Sequence, residues 1–329
     1  MAIQQTNPFA GNDARVITLK PPVAPQMRPG AGGASDEPPL LDVRDLHTWF
    51  PVKKGIFART VGHVKAVNGV SFTMRAGETL GVVGESGCGK STLSRTILRL
   101  EKAHAGSVFF EGKDVFKLRG AALQQYRRDM QVVFQDPHAT LNPRHSILDI
   151  LTEGMLVHGL IKPSEAQDVA AGLLRDVGLQ PDAMHRYPHA FSGGQRQRIC
   201  IARALALKPK MIICDEAVSA LDLSIRAQVL NLLMELKEKY HLAYLFITHD
   251  IGVVEHIADN IIVMFKGEVV ERGPATEVLL HPQEDYTRRL IAAVPRVGRG
   301  EEQPAAETPL PSAPTEAVPE LPDAGVPQA

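Results

Sequence analysis

The sequence predicts an α/β fold built around a largely parallel sheet. Short strand-like segments alternate with longer segments of helical periodicity between residues 41 and 295, and this alternation is typical of strands joined by crossover helices. The segment TLGVVGE at 79–85 is a continuous apolar run, as expected for a strand that is buried on both faces of a sheet. The chain has 329 residues, which is enough for one large or two small domains.

The individual elements follow from hydrophobic periodicity and from turn residues. Strands are predicted at 41–50, 63–75, 79–85, 130–135, 210–216, 241–250 and 260–270. Helices are predicted at 90–101, 145–158, 165–177, 194–207, 224–239 and 250–257. The block 136–193 lacks strong strand signals, and we predict that it is a helical insertion.

Both ends of the chain have a different composition from the centre. Residues 1–40 and 296–329 are rich in Pro, Gly and Ala and show no apolar period, and the second segment is acidic, with no Lys or Arg after Arg299. Such segments bury too little apolar surface to offset the entropy lost on ordering. We therefore predict two disordered tails around a folded region at 41–295.

Charge and cysteine usage exclude several classes of protein. The formal net charge is −1, so there is no basic excess that would indicate a nucleic-acid partner. The three cysteines, Cys88, Cys200 and Cys214, are widely separated, which argues against a disulfide framework or a metal-binding spacing. No apolar run is long enough to cross a bilayer and the N-terminus lacks a signal-peptide core, so the chain is expected to be cytosolic.

A glycine-rich loop follows the apolar strand at 79–85. Its residues match the phosphate-loop pattern G-x-x-x-x-G-K-[ST]: Gly84, Glu85, Ser86, Gly87, Cys88, Gly89, Lys90 and Ser91. Glycines let backbone N–H groups approach phosphate oxygens, and the helix that follows adds its positive N-terminal end. We expect Lys90 to contact the β- and γ-phosphates, Ser91 to ligate Mg²⁺ and Thr92 to contact the α-phosphate. The loop therefore predicts nucleotide binding.

Two adjacent acidic residues end a later apolar strand, MIICDE at 211–216. Charge at the tip of a buried strand is costly unless it is paired or bound to a metal. Asp215 is expected to hold Mg²⁺ through a water, and Glu216 to act as the base that polarises the attacking water. An Asp-Glu pair before a loop is common in proteins and is a weak signal alone. It indicates a metal and base site more strongly here because it follows a phosphate loop.

Polar residues also end two other strands, at His249 and Gln135. The strand LAYLFIT should lie beside the strand that carries Glu216, and strand C-termini face the ligand side of such a sheet. His249 would then lie near the γ-phosphate, and Gln135 could contact Mg²⁺ or the attacking water at the edge of the helical insertion. Taken singly, such a histidine or glutamine is more often a structural hydrogen-bonding residue.

The segment FSGGQ precedes an amphipathic helix, and it contains Ser192, Gly193, Gly194 and Gln195. By itself it reads as a turn and a helix cap. The same features create a second helix N-terminus that can hold an anion. Because the phosphate loop already surrounds this chain's own nucleotide, a second anion site suggests a nucleotide presented by another subunit.

Taken in order, these segments resemble the motifs of the ATP-binding-cassette ATPases. GESGCGKS resembles the Walker A motif, Gln135 the Q-loop, FSGGQ the signature, IICDE the Walker B motif, SALD with Asp222 the D-loop, and ITHD the switch histidine. The resemblance implies a P-loop NTPase fold with a RecA-like α/β core, an antiparallel β subdomain and a helical subdomain at about 136–193. It implies ATP and Mg²⁺ as ligands. It also implies head-to-tail pairing, in which Ser192, Gly193, Gly194 and Gln195 act on the partner's ATP.

Further segments resemble the ATPase subunits of dipeptide and oligopeptide importers. They include FQDPHATLNPR, SALDLSIRAQVLNLL and a C-terminal segment at about 274–295 that contains HPQEDYTRRLIAAVP. This resemblance implies a second, different cassette subunit, two transmembrane permease subunits and an extracytoplasmic solute-binding protein. It implies a peripheral position on the cytoplasmic face of the bacterial inner membrane. Many members carry a C-terminal cysteine cluster, but no cysteine follows Cys214, so no iron–sulfur cluster is expected.

Three questions stay open at the level of sequence. The solute is expected to be a di- or oligopeptide, but related importers handle nickel, glutathione, opines or sugars. A cassette ATPase that acts in DNA repair or on ribosomes is the alternative outside transport, although the chain has neither a heptad insertion nor a basic arm. The aromatic residue that stacks on adenine in this family is unassigned among Trp49, Phe50 and Phe57.

Overall fold

The computed structural model describes residues 38–54 and 59–293. The predicted tails lie outside these residues, apart from 38–40. Leu40 is buried and its carbonyl accepts a hydrogen bond from the N–H of Glu111. The packed region therefore begins at least one residue before the predicted boundary.

Strands and helices alternate along most of the described chain. The strands are β1 Leu41–Lys54, β2 Arg59–Met74, β3 Thr79–Val83, β4 Ala105–Phe110, β5 Lys113–Asp114, β6 Met130–Phe134, β7 Met211–Asp215, β8 Ala243–Thr248, β9 Asn260–Phe265 and β10 Glu268–Pro274. The helices are α1 Lys90–Ile97, α2 Gly120–Asp129, α3 Pro137–Thr140, α4 Ile147–Val157, α5 Ala166–Asp176, α6 Gly193–Ala206, α7 Leu223–Tyr240, α8 Ile251–Ile257, α9 Ala275–Leu280 and α10 Asp285–Ala292.

The larger sheet has the strand order β10-β9-β3-β8-β7-β6. Its strands are parallel except for β10, which pairs with β9 in the antiparallel sense. Every residue of β3, β7 and β8 is buried, because helices cover both faces of a parallel sheet. The predicted α/β fold with a largely parallel sheet is confirmed.

The smaller sheet is antiparallel, with the strand order β2-β1-β4-β5. Its inner face packs on α1 in a shared core that contains Leu41, Leu46, Val67, Leu93 and Ile97. A buried hydrogen bond of 2.9 Å between the hydroxyls of Thr48 and Thr96 also links β1 to α1. This sheet corresponds to the antiparallel subdomain that the resemblance implied.

Helices α3, α4 and α5 lie between β6 and β7 in the chain, and no strand occurs at 137–210, a range that the structure describes throughout. A capping box joins Ser146 and Asp149 at the start of α4, which satisfies N–H groups that have no partner inside the helix. Ile147, Leu151 and Leu174 pack with Ile199 of α6 in a core that continues onto β7 and β8. The helical region is thus packed against the sheet through α6.

The prediction of one strand at 260–270 is wrong. The segment forms the hairpin β9–β10, whose turn contains Lys266 and Gly267 at φ values of 47° and 88°. The apolar run continues across this two-residue turn, and so the sequence reads as a single strand. The elements β4, β5, α2, α9 and α10 were not predicted either, because they are short or mostly polar; in α2, for example, only Tyr126 and Asp129 are buried.

The last two helices pack beside the end of β3. Val83 of β3, Val263 of β9, Val278 of α9 and Tyr286 of α10 belong to one apolar cluster. The carboxylate of Glu271 in β10 accepts hydrogen bonds from the N–H groups of the chain segment that leads into α10, at Gln283 and Glu284. The C-terminal segment is therefore anchored to the same edge of the sheet from which β3 leads into the glycine-rich loop.

Close packing of α8 on β3 predicts a stability effect at Gly81. A Cβ atom at Gly81 would lie 2.2 Å from Cγ1 of Val254, so Gly81→Ala should lower the free energy of unfolding by about 1–3 kcal/mol through overpacking. Gly62→Ala is the matched control, because a Cβ at Gly62 meets nothing within 4 Å. Urea unfolding measures the free energy of unfolding of both variants. Equal stability of the two variants would contradict the packing argument.

Candidate nucleotide-binding and hydrolysis site

The register of the parallel sheet brings four strand ends together. Val83 of β3 pairs with Thr248 of β8, Asp215 of β7 pairs with Ile247 of β8, and Phe134 of β6 pairs with Asp215. The residues that follow these ends therefore emerge side by side in the order Gly84, His249, Glu216 and Gln135. The prediction that the strand of His249 lies beside that of Glu216 is confirmed.

The glycine-rich loop presents backbone donors at the start of α1. The N–H of Cys88 donates to the carbonyl of Glu85, whereas those of Gly87, Gly89 and Lys90 make no hydrogen bond to the described part of the chain. Gly89 has a φ of 109°, and a Cβ there would lie 1.9 Å from the carbonyl oxygen of Ala66. Free N–H groups at a helix N-terminus suit a phosphate, so the backbone fits the predicted ligand.

The side chain of Lys90 folds back into this loop. Its ammonium group donates to the carbonyls of Gly84, at 2.7 Å, and Glu85, at 2.8 Å. The side chain is buried, and Sγ of Cys88 lies 3.7 Å from Nζ. Two carbonyl oxygens therefore compensate a buried cation and hold it at the centre of the loop.

Hydroxyl and carboxylate oxygens form a second cluster beside the loop. Ser91 Oγ donates to Oδ1 of Asp215 at 2.9 Å, and Ser94 Oγ donates to Oδ2 at 3.1 Å. Burial raises the pKa of Asp215, and the two hydroxyls oppose that rise. Hard oxygen ligands of this kind suit Mg²⁺, which keeps several waters and binds one or two carboxylates together with substrate phosphates. The residues present thus fit the metal that the sequence predicts.

Glu216 adopts an unusual backbone conformation. Its φ is 52°, in the left-handed region that non-glycine residues adopt infrequently. Its N–H donates to the carbonyl of Ile247, and its own carbonyl accepts from the N–H and hydroxyl of Ser219. The carboxylate lies 3.5 Å from Nδ1 of His249. Backbone hydrogen bonds therefore hold the predicted base beside the predicted switch histidine, and the sequence had no signal for this strained geometry.

Gln135 lies at the far end of this row and is exposed. Its side chain makes no hydrogen bond to the residues that the structure describes. The next residue, Asp136, caps α3 through the N–H of His138. Gln135 therefore stands at the junction of the sheet and the helical region, with its amide free for a ligand.

The segment Ser192–Gln195 forms the N-terminus of α6. Ser192 Oγ accepts from the N–H of Gln195, and Gln195 Oε1 accepts from the N–H of Ser192, which is a capping box. Ser192, Gly193 and Gln195 are exposed, and Gly194 packs so closely that a Cβ would lie 2.5 Å from Cγ2 of Ile225. Within the described chain, no hydrogen bond joins this segment to the phosphate loop.

An ion pair that the sequence analysis missed holds the loop before α7. Asp222 precedes α7, is exposed and makes no side-chain cap. Arg226 donates to the carbonyls of Ser219 and Leu221 and pairs with Asp250 at 2.6 Å. Asp250 directly follows His249, so Arg226 links the loop of Asp222 to the histidine. An arginine four residues after Asp222 carries no distinctive signal in the sequence.

The three aromatic candidates for stacking on adenine differ in their surroundings. Trp49 stacks on His104 at 4.1 Å and lies under Lys65. Phe50 shares a face of β1 with Thr48, which contacts α1, and 37% of its surface is exposed. Phe57 lies outside the described residues. Side chains alternate along a strand, so Phe50 is directed to the side of α1 and Trp49 to the opposite side.

Cys200 and Cys214 are buried in the core, and burial raises the pKa of both thiols.

Within the described residues no helix combines the length and apolar character that crossing a membrane requires.

Comparison with known proteins gives consistent matches. Residues 67–219 match the family model described as ABC transporter. A glutathione import ATP-binding protein, GsiA, from Pectobacterium atrosepticum is 51% identical over 257 residues, which are 78% of this chain and 41% of the relative. GsiA from Escherichia coli K12 is 53% identical over 260 residues, which are 79% of this chain and 42% of the relative. This chain thus spans about two-fifths of the length of these relatives.

Solved structures agree with the sequence matches. CbiO1 from Clostridium perfringens, described as part of the ABC transporter complex CbiONQ, has a TM-score of 0.64 and 27% identity, and the alignment covers 74% of this chain and 92% of that one. The ATP-binding cassette MJ0796, solved as a dimer with ADP and phosphate, has a TM-score of 0.63 and 28% identity, with coverage of 71% and 98%. The family model over residues 67–219, the sequence matches and the solved structures therefore agree that this chain has the P-loop α/β fold of the ATP-binding domains of ABC transporters.

Proposed function

We propose that this chain is the ATP-hydrolysing subunit of an importer that takes up glutathione or a closely related peptide. The observation that carries the proposal is the row Gly84, His249, Glu216 and Gln135 at adjacent strand ends, in a chain about half identical to glutathione import ATPases. The names of these relatives favour glutathione over the di- or oligopeptides that the sequence analysis expected.

The phosphate loop is proposed to bind ATP. Its N–H groups and the N-terminus of α1 would hold phosphate oxygens, Lys90 would move from the carbonyls of Gly84 and Glu85 to the β- and γ-phosphates, and Thr92 would contact the α-phosphate. Ser91, Asp215 and Gln135 would hold Mg²⁺. When bound there, the metal supplies positive charge that offsets the charge of the phosphates.

Hydrolysis is proposed to depend on Glu216. Its carboxylate would accept a proton from the attacking water, and a fixed base that is close to the water contributes substantially to such a reaction. His249 lies 3.5 Å from this carboxylate and would hold its orientation while contacting the γ-phosphate. Gln135 would orient the water at the other side.

A second cassette is proposed to complete the site. Among the described residues, no hydrogen bond joins this chain's own loop to Ser192, Gly193, Gly194 or Gln195, and an exposed helix N-terminus is suited to an anion. They would contact ATP held by a partner cassette, with Asp222 at the same interface. The structure of the cassette MJ0796 is dimeric, which supports pairing, and the importer resemblance favours a different cassette as the partner.

The remaining partners are proposed from the importer resemblance. They are two transmembrane permease subunits, which would hold the chain on the cytoplasmic face of the inner membrane, and an extracytoplasmic solute-binding protein. The second candidate is the same subunit in an importer of di- or oligopeptides, which the C-terminal segment at about 274–295 supports.

The substitution Glu216→Gln tests the proposed base. It should keep ATP affinity and lower the rate of hydrolysis by a factor of about 10²–10⁴, because the amide cannot accept the proton. Isothermal calorimetry measures the ATP affinity, and phosphate release measures the rate of hydrolysis. Glu238→Gln, at an exposed position on α7, is the control and should hydrolyse ATP at the normal rate. Near-normal turnover of Glu216→Gln would reject the assignment.

The substitution Phe50→Ala tests the position of the adenine. Loss of an aromatic surface that stacks on a base should raise the Kd for ATP about fivefold to a hundredfold. Trp49→Phe, on the opposite face of β1, should leave the Kd unchanged. Calorimetric titration with ATP and with inorganic triphosphate separates stacking from phosphate binding, because triphosphate affinity should not depend on Phe50. An effect on both ligands would contradict the assignment.

Uptake assays test the solute. Cells of the source organism that lack this chain should lose uptake of labelled glutathione, and the unaltered chain should restore it while the Glu216→Gln variant should not. Dependence of labelled dipeptide uptake instead would favour the second candidate. If neither solute depends on the chain, and it co-purifies with ribosomes or DNA rather than with two polytopic membrane proteins, the transport function is wrong.

A further inference from the structure

Helix α10 of the C-terminal segment contacts the phosphate loop directly. The backbone N–H of Glu85 donates a hydrogen bond of 3.1 Å to the hydroxyl of Tyr286. Only 8% of the surface of Tyr286 is exposed, and its ring packs against Phe265 with 4.4 Å between ring centroids. The hydroxyl is therefore a fixed acceptor that a distant part of the sequence, about 200 residues after the loop, places beside the loop.

The hydrogen bond falls on the peptide group that also holds Lys90. The N–H of Glu85 and the carbonyl of Gly84 belong to one peptide unit, and that carbonyl accepts from Nζ of Lys90 at 2.7 Å. In a planar trans peptide the N–H and the C=O point in opposite directions. Tyr286 and Lys90 consequently contact opposite edges of a single peptide group, and rotation of that group would break both hydrogen bonds.

We propose that Tyr286 is a positioning residue for nucleotide binding, which orients the Gly84–Glu85 peptide and through it Lys90. The inference rests on the proposed function of the phosphate loop and assigns part of its affinity to the C-terminal segment. Tyr286 does not touch the reacting atoms. Its hydroxyl selects the loop conformation in which Lys90 lies at the centre of the loop.

The surroundings of α10 make the position of the hydroxyl rigid. Glu271 accepts from the N–H groups of Gln283 at 2.7 Å and Glu284 at 3.2 Å, immediately before the helix. Thr287, the next residue after Tyr286, is almost completely buried. Tyr286 also packs in the cluster that contains Val83, the last residue before Gly84. Burial is the main cause of the raised pKa of Tyr286, so its hydroxyl stays neutral at physiological pH.

Removing the hydroxyl should affect binding more than chemistry. In Tyr286→Phe the N–H of Glu85 loses its acceptor, so the peptide can rotate and Lys90 loses a fixed partner. Loss of a single neutral hydrogen bond should raise the Kd and the KM for ATP about threefold to tenfold. The value of kcat should stay within about twofold, because Glu216 and His249 follow other strands and Glu216 keeps its backbone hydrogen bonds to Ile247 and Ser219.

The test compares Tyr286→Phe with Tyr244→Phe in the full chain. The hydroxyl of Tyr244 is also buried and donates to a backbone carbonyl, that of Leu233, at 3.0 Å, but it does not contact the phosphate loop. Both variants should lose thermal stability to a similar degree, and only Tyr286→Phe should bind ATP more weakly in calorimetric titrations. Unchanged ATP affinity in Tyr286→Phe, or equal weakening in both variants, would overturn the proposal.

Hydrogen exchange gives a second measurement that needs no variant. In the unaltered full chain, the amide of Glu85 should exchange more slowly than that of Ser86 in the absence of nucleotide, since Tyr286 is its acceptor. Exchange as fast as that of Ser86 would overturn the proposal even if Tyr286→Phe failed to fold. The two hypotheses fail differently: an unaltered chain that binds no ATP rejects the proposed function, whereas equal binding by unaltered chain and Tyr286→Phe rejects only the role of Tyr286.

Discussion

The candidate site depends on one constraint, the in-register pairing of buried parallel strands. Because β3, β8, β7 and β6 are neighbours and end within one residue of the same level, every residue that follows a strand end is delivered to one edge. The strands themselves are apolar and fully covered in β3, β7 and β8, so their position is determined by packing rather than by the polar residues that follow them. A one-residue slip of β7 would exchange the buried Asp215 for its neighbour and separate it from Ser91, which shows how strongly register governs the chemistry.

Polar groups at this edge are stable only because each has a defined partner. Lys90 and Asp215 are almost fully buried, and a buried charge without partners would be costly. Two carbonyls of the loop compensate Lys90, and two serine hydroxyls compensate Asp215. These partners belong to the same loop and helix that would receive the phosphates and the metal. Ligand binding would therefore exchange internal hydrogen bonds for ligand contacts within a shell that is already in place.

Elements that are distant in sequence support this shell. The β9–β10 turn donates the N–H of Gly267 to the carbonyl of Cys88, and α10 places Tyr286 at Glu85. On the other side, Arg226 joins the loop of Asp222 to Asp250, beside His249. Two segments late in the sequence, the β9–β10 turn and α10, thus hold the phosphate loop, whereas α7 holds the residue beside the histidine. These two supports do not share residues. A change at Gly267 or Tyr286 should therefore alter the phosphate loop without disturbing the contacts of Arg226.

Local sequence alone determined much of the fold and most of the candidate site. Continuous apolar runs identified the buried strands, Asp215 and Glu216 were named because charge at the tip of a buried strand is costly without a partner, and His249 was named because it ends a neighbouring strand. Glycine spacing likewise identified the loop and Ser192–Gln195. Only the tertiary structure decided which strands are neighbours, that 260–270 is a hairpin, that Phe50 rather than Trp49 is directed toward α1, and that Glu216 is held at a positive φ. It also decided the contacts of Arg226 with Asp250 and of Tyr286 with Glu85. The physical reason is range: periodicity and capping act within a few residues, whereas register, packing and hydrogen bonds such as that between Glu85 and Tyr286 join segments that no local pattern connects.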